Sequence, residues 1–126
     1  MLKIEFLYYD KNTCKRCVST GKSIKKTLKE LQSAIRSADL KVIFKEKNLP
    51  KSKIHLSPSI LINNKDIEKI VNNNSKLKSN ICKDCCQLVG KAVKCRTFNY
   101  KGKKYDYIPK EMISEAINTI SKKANR

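Results

Sequence analysis

The opening of the chain constrains its fold more than any other stretch. A strand-like heptapeptide, a polar turn, a C-x-x-C pair and a long helical repeat follow one another directly. Leu2–Tyr8 (LKIEFLY) is dense in apolar, aromatic and β-branched residues, the mark of a largely buried strand. Asp10–Thr13 (DKNT) reads as a turn. Cys14 and Cys17 come next. Then Ile24, Leu28, Leu31, Ile35 and Ala38 recur at intervals of 4, 3, 4 and 3, one face of an amphipathic helix about 20 residues long with a Lys-rich outer side. Asp39–Lys47 (DLKVIFKEK) is a second strand. Strand, helix and strand in this order predict a βαβ unit with parallel strands and a right-handed crossover, hence an α/β fold.

Downstream the signals are shorter. Asn48–His55 is a polar connection containing Pro50, and Ser57-Pro58-Ser59 leads into the apolar strand Ile60–Ile62. Asn63-Asn64 suits a two-residue hairpin turn because Asn tolerates positive φ, so Lys65–Ile70 is expected to return antiparallel. Asn72–Asn80 is polar and breaks the pattern, and the cysteine-rich stretch Ile81–Cys95 follows. Thr97–Tyr100 and Lys104–Ile108 flank Lys101-Gly102-Lys103, a second hairpin. Pro109 stands where a helix N1 proline belongs. Met112, Ile113, Ala116, Ile117 and Ile120 form the apolar face of a last helix that frays through Lys122–Arg126. The 126 residues read as one domain, 1–126, with a Cys-rich insertion at about 71–97.

Charge and cysteine usage narrow the function classes. There are 29 Lys+Arg against 11 Asp+Glu, formally +18, nearly all of it Lys spread along the whole chain. Such a field attracts polyanions, so nucleic acid is expected to bind non-specifically if at all. A basic nucleic-acid-binding module is the third functional reading, behind the two below. No apolar run reaches the length of a membrane span. MLKIEFLYYD reads as a strand rather than a secretory signal, which makes a cytoplasmic setting the expectation. There the six cysteines at 14, 17, 82, 85, 86 and 95 point to thiol chemistry or metal ligation rather than a disulfide framework.

A C-x-x-C pair at the start of a helix suits redox work. Unpaired backbone N–H groups and the positive end of the helix dipole stabilise a thiolate at the first cysteine. That thiolate attacks a disulfide sulfur, and the second cysteine resolves the mixed disulfide. Cys14 and Cys17 fit these roles, and the intervening Lys15 and Arg16 are expected to lower the Cys14 pKa further. No cofactor is required, and the partner is a redox protein or a small disulfide or thiol. The alternative is a thiol-rich protein that holds zinc or another thiophilic metal or metalloid through Cys82, Cys85, Cys86 and Cys95. The same thiols also fit a structural disulfide, or a relay to Cys14–Cys17 if the insertion folds over the dithiol. His55, the only histidine, reads as a surface residue, and Tyr100, Tyr105 and Tyr107 as the two faces of an ordinary strand. Glu5 and Asp10 lie near the first strand, where an acid beside a buried second cysteine takes its proton in such a dithiol, but neither position compels that role.

Together these residues give the chain a resemblance to the thioredoxin-like superfamily: strand Leu2–Tyr8, Cys14-Lys15-Arg16-Cys17, the long helix, strand Asp39–Lys47, then Ser57-Pro58 before the strand Ser59–Ile62. The resemblance implies a βαβ unit followed by a β-hairpin, the Cys-rich insertion and a C-terminal helix. It also implies that Pro58, the proline before the third strand, is cis and faces the dithiol, where it shapes the substrate groove and keeps metal off the pair. Thr13 stands where thioredoxin has Trp, and the helix between the second and third strands is reduced to Asn48–His55. Over nearly its full length the chain is further similar to the uncharacterised DUF2703 family of small thioredoxin-like proteins. The likeness lies in the IEFLYYD opening, SPSILINNKDIE, the Cys-rich stretch ending in Cys95-Arg96, and YKGKKYDYIPKEMISEAI.

Overall fold

The computed structural model describes residues 1–10, 14–72 and 78–124, with the backbone alone at 83–85 and 122–124. The expected turn at Asp10–Thr13 and the polar break at Asn72–Asn80 fall largely outside the described residues, as do residues 125 and 126.

Strand β1 (Leu2–Tyr8) is central to a four-stranded mixed sheet of order β2-β1-β3-β4. β2 (Val42–Asn48) runs parallel to it, while β3 (Ser59–Ile62) runs antiparallel and pairs with the two-residue β4 (Lys65–Asp66). Alternation along β1 turns Leu2, Ile4 and Phe6 to one face, and the register sets Ile62 opposite Ile4 and Ile60 opposite Phe6. This face carries the main core. Ile24 of the first helix, α1 (Lys15–Glu30), and Met112, Ile113, Ala116 and Ile117 of the last helix, α5 (Lys110–Ala124), complete it.

The first helical stretch differs from the expected one. It breaks at Leu31 (φ −92°, ψ 3°), and a short α2 (Gln32–Ser37) follows in which no residue is buried. Ala38 is accordingly exposed rather than on an apolar face. The buried side of α1 is Cys17, Thr20, Ser23, Ile24 and Thr27, more polar than apolar spacing suggests. Burial is tolerated where hydroxyls find partners. Thr27 Oγ1 donates to the Ser23 carbonyl at 2.7 Å, and Thr20 Oγ1 accepts from the Ile108 N–H at 3.2 Å.

Asn63 and Asn64 adopt positive φ (51° and 68°), the two-residue turn expected between β3 and β4. The strand return over Lys65–Ile70 stops at Asp66, because the Asp66 Oδ1 accepts the Glu68 N–H at 3.0 Å and starts a helix, α3 (Ile67–Asn72). The polar connection before Ser57 contains a 3-10 helix, Lys51–Leu56.

The insertion has order of its own. β5 (Lys78–Ile81), β6 (Lys94–Tyr100) and β7 (Lys103–Tyr105) form a three-stranded antiparallel sheet, and α4 (Lys83–Val89) links β5 to β6. Gly90, at φ 80°, closes α4 in the left-handed region that glycine enters freely. Lys101 and Gly102 (φ 50° and 79°) make the second hairpin turn, though β7 ends at Tyr105 rather than continuing to Ile108. Pro109 lies just before α5, its carbonyl accepting from the Met112 and Ile113 N–H groups at 3.1 and 3.3 Å. The helix continues to Ala124, past the Lys122 at which fraying was expected.

Arg96 fastens this insertion to the main sheet. Its guanidinium is 1% exposed and reaches Asp66 (2.7 and 2.6 Å), Ser59 Oγ (2.8 Å) and Glu68 Oε1 (3.2 Å) while lying over the Phe98 ring. The Arg96 N–H also donates to the Ser57 carbonyl at 2.9 Å.

Candidate functional site: thiols converging on the first helix

Cys14 occupies the N-cap position of α1, with extended backbone (φ −71°, ψ 116°), and its carbonyl accepts the Val18 N–H at 2.9 Å. Its side chain therefore stands among the first-turn N–H groups at the positive end of the helix. Cys17 lies in that first turn, 3.0 Å from the Ser57 hydroxyl, which also accepts the Tyr9 N–H at 3.0 Å. The next peptide bond, Ser57–Pro58, is cis, and Pro58 is buried. One short segment thus touches the dithiol through Ser57 and the insertion through the Arg96 backbone.

The insertion brings two more thiols to the same place. Cys82 Sγ lies 3.7 Å from Cys14 Sγ, and Cys95 is a hydrogen-bonding neighbour of Cys14 as well. Cys14, Cys17 and Cys95 are 0% exposed and Cys82 is 2% exposed. Arg16, between the two cysteines of the motif, holds this arrangement from the helix side. Its guanidinium donates to the Ile81 carbonyl at 2.9 Å and the Cys95 carbonyl at 3.3 Å. Sequence reasoning assigned Arg16 to charge stabilisation of Cys14; in the structure its hydrogen bonds go to the insertion.

The two motif cysteines are driven in opposite directions. Hydrogen bonding from the Cys17 thiol, then from Cys95, holds Cys14 well below the ordinary thiol range against the opposing effect of burial; the Cys17 backbone N–H and Cys82 add to it. Cys17 is pushed well above that range, first by its bond to the Cys14 thiolate and then by burial, with the Ser57 hydroxyl opposing. These opposed shifts favour the ionised form of Cys14 and the protonated form of Cys17.

The remaining cysteines fall elsewhere or outside the described atoms. The Cys86 sulfur accepts the Val93 N–H at 3.3 Å and its thiol donates to the Val93 carbonyl at 3.5 Å. The side chain of Cys85 lies outside the described residues. Cys14, Cys17, Cys82, Cys86 and Cys95 form no disulfide with one another. Among the described residues no group of three or more His, Cys, Asp or Glu is arranged to hold a metal ion. His55 is exposed, and Tyr100 is buried in the core with its hydroxyl donating to the Glu111 carbonyl at 3.3 Å. Glu5, though buried, is held by Lys47 (2.9 Å) and Lys3 (3.4 Å). The Ser57 hydroxyl, the Arg16 hydrogen bonds to the insertion and the Arg96 anchor are the contributions that the sequence does not show. Nothing in their spacing marks them, because each acts on a residue at least 30 positions away.

Among the described residues no helix is long and apolar enough to cross a membrane. Neither a curated protein nor a solved structure matches the chain. A family model described as "Domain of unknown function (DUF2703)" matches residues 2–117. The chain therefore belongs to the DUF2703 family.

Proposed function

We propose that this protein is a thiol–disulfide oxidoreductase of thioredoxin-like design, with Cys14 as the attacking thiolate and Cys17 as the resolving thiol. The observation that carries the reading is the opposed tuning of the pair at the N-terminus of α1, with Ser57–Pro58 beside it. The Cys14 thiolate attacks one sulfur of a substrate disulfide. The S–S bond breaks, one thiol leaves with a proton from solvent, and a mixed disulfide remains on Cys14. Cys17 then loses its proton, attacks the Cys14 sulfur and releases the second thiol. The substrate gains two electrons and two protons, and the protein is left with a Cys14–Cys17 disulfide. A dithiol reductant resets it. Burial of both sulfurs favours a small disulfide as substrate over a bulky folded one. The test is catalysed reduction of a small aromatic disulfide by dithiothreitol. Cys14→Ser is expected to abolish the catalysed rate; an unchanged rate refutes the reading.

A second reading has one observation in its favour, the approach of Cys82 and Cys95 to Cys14. Thiolates gathered this way suit zinc or a softer thiophilic metal. Metal analysis of protein purified without chelator decides it: about one tightly bound metal per chain, lost in Cys82→Ser, supports metal binding, and its absence rejects it.

A further inference from the structure

The dithiol mechanism leaves Cys82 without a task, although it stands, with Cys95, against the nucleophile. Cys82 follows the last residue of β5 and precedes α4. Its N–H donates to the Val93 carbonyl at 3.2 Å, and its own carbonyl accepts the Cys86 N–H at 2.9 Å. Its sulfur stands 3.7 Å from that of Cys14. Arg16 binds the carbonyl immediately before Cys82, so the turn that carries the dithiol also positions the insertion over it. Cys95 sits within β6, opposite Asn80 and next to the anchored Arg96. Cys82 lies at the strand–helix junction, where a small backbone shift closes the remaining gap to the roughly 2.05 Å of a disulfide.

We infer that Cys82 is a second resolving thiol, able to displace a substrate from Cys14 and leave a bridge between the start of α1 and the insertion. The inference rests on the dithiol reading above. With a small disulfide RSSR, the Cys14 thiolate forms Cys14–S–S–R and releases RSH after protonation. Cys82 then loses its proton, attacks the Cys14 sulfur and releases the second RSH. One RSSR is reduced to two RSH, and two protein thiols are oxidised to one Cys14–Cys82 disulfide. Cys17, hydrogen-bonded to Ser57, is also a neighbour of the Cys14 sulfur. Its attack on the Cys14 sulfur converts this bridge to Cys14–Cys17 and returns Cys82 as a thiol. The insertion thus holds the buried nucleophile as an internal disulfide and passes oxidation inward without a second protein.

The sequence makes the test clean, because trypsin places the relevant cysteines in separate peptides: Asn12–Lys15, Cys17–Lys22, Ser79–Lys83 and Cys95–Arg96. Wild type, Cys17→Ser and Cys82→Ser are equilibrated with oxidised glutathione, alkylated in acid and digested without reduction. Cys17→Ser is expected to release two reduced glutathiones per chain and to link Asn12–Lys15 to Ser79–Lys83. Partially oxidised wild type is expected to show that link beside the Cys14–Cys17 one, and Cys82→Ser only the latter. A Cys17→Ser protein that stops at a glutathione adduct on Cys14, or links Cys14 to Cys95, overturns the role of Cys82. A wild type that forms only the Cys14–Cys17 bridge overturns it too, independently of how Cys17→Ser folds, and leaves the dithiol reading standing. A wild type in which Cys14 forms no bridge at all overturns both.

Discussion

Arg96→Ala removes the cation that joins the insertion to the main sheet. Arg96 makes four side-chain hydrogen bonds, two of them a fork onto Asp66, and is 1% exposed. Its loss strands Glu68, whose side chain is 3% exposed, while Asp66 at 27% keeps access to water. Removing one partner of a buried ion pair costs about 3–5 kcal/mol. The access of Asp66 to water points to the lower end, about 3 kcal/mol. With a urea slope of about 1.5–2 kcal/mol/M for a domain of this size, the unfolding midpoint should fall by about 1.5–2 M. Adding Glu68→Gln to the Arg96→Ala background should recover about 1–2 kcal/mol, because an unpaired buried amide costs less than an unpaired buried carboxylate. Urea unfolding followed by far-ultraviolet circular dichroism reads both effects. A midpoint shift below about 0.5 M for Arg96→Ala, or no recovery in the double variant, refutes the argument that this ion cluster is the fastening.

Three further outcomes follow from the same contacts. Gly21→Ala should stabilise the protein by about 0.5–1 kcal/mol in thermal unfolding, since a Cβ there meets only Phe6 Cε2 at an ordinary 3.5 Å and glycine inside a helix is costly; destabilisation contradicts it. Ser57→Ala removes the hydroxyl that draws the Cys17 pKa down, so the second exchange step should slow by about three- to fourfold for each tenfold fall in thiolate fraction, and a Cys14 mixed disulfide should accumulate in a quenched time course. Glu5 is held below its ordinary pKa, first by its hydrogen bond to Lys47 and then by Lys3 and Lys47 charge, against burial. A depressed carboxyl stabilises above its unfolded pKa and loses that contribution as pH falls through the folded one. Glu5→Gln should therefore cost on the order of 0.5–1 kcal/mol at pH 7, discounted for the exposed lysines, and progressively less as the pH falls through the acid range; an equal cost at neutral and acid pH rules the pairing out.

The first strand and the Asn turn were legible because local signals and tertiary contacts agree there, whereas the expected long helix breaks at Leu31. Leu2–Tyr8 forms β1 without a residue's difference, and Asn63-Asn64 turns as the left-handed preference of Asn requires. The same holds for the apolar face of α5. The insertion was not legible. Lys78–Ile81 has no strand alternation and becomes β5 by pairing with β6, while α4 carries no apolar period that announces a helix. Lys65–Ile70 reads as a returning strand, and the Asp66 cap makes Ile67–Asn72 a helix instead. Of the site, the order Cys14, Cys17 and the helix after them stood in plain view. The approach of Cys82 across 68 positions, the Ser57 hydroxyl and the Arg16 clamp are properties of the folded chain that no spacing rule encodes.

The central claim is that Cys14 is a thiolate at neutral pH while Cys17 is not. Ultraviolet absorbance at the thiolate band, titrated from acid to neutral pH on reduced wild type and Cys14→Ser, measures this directly. One thiolate equivalent is expected in wild type that persists well below the ordinary thiol range and vanishes in Cys14→Ser. A wild type that gains thiolate absorbance only near the ordinary thiol pKa of about 8.5, or whose low-pH thiolate survives Cys14→Ser, contradicts it.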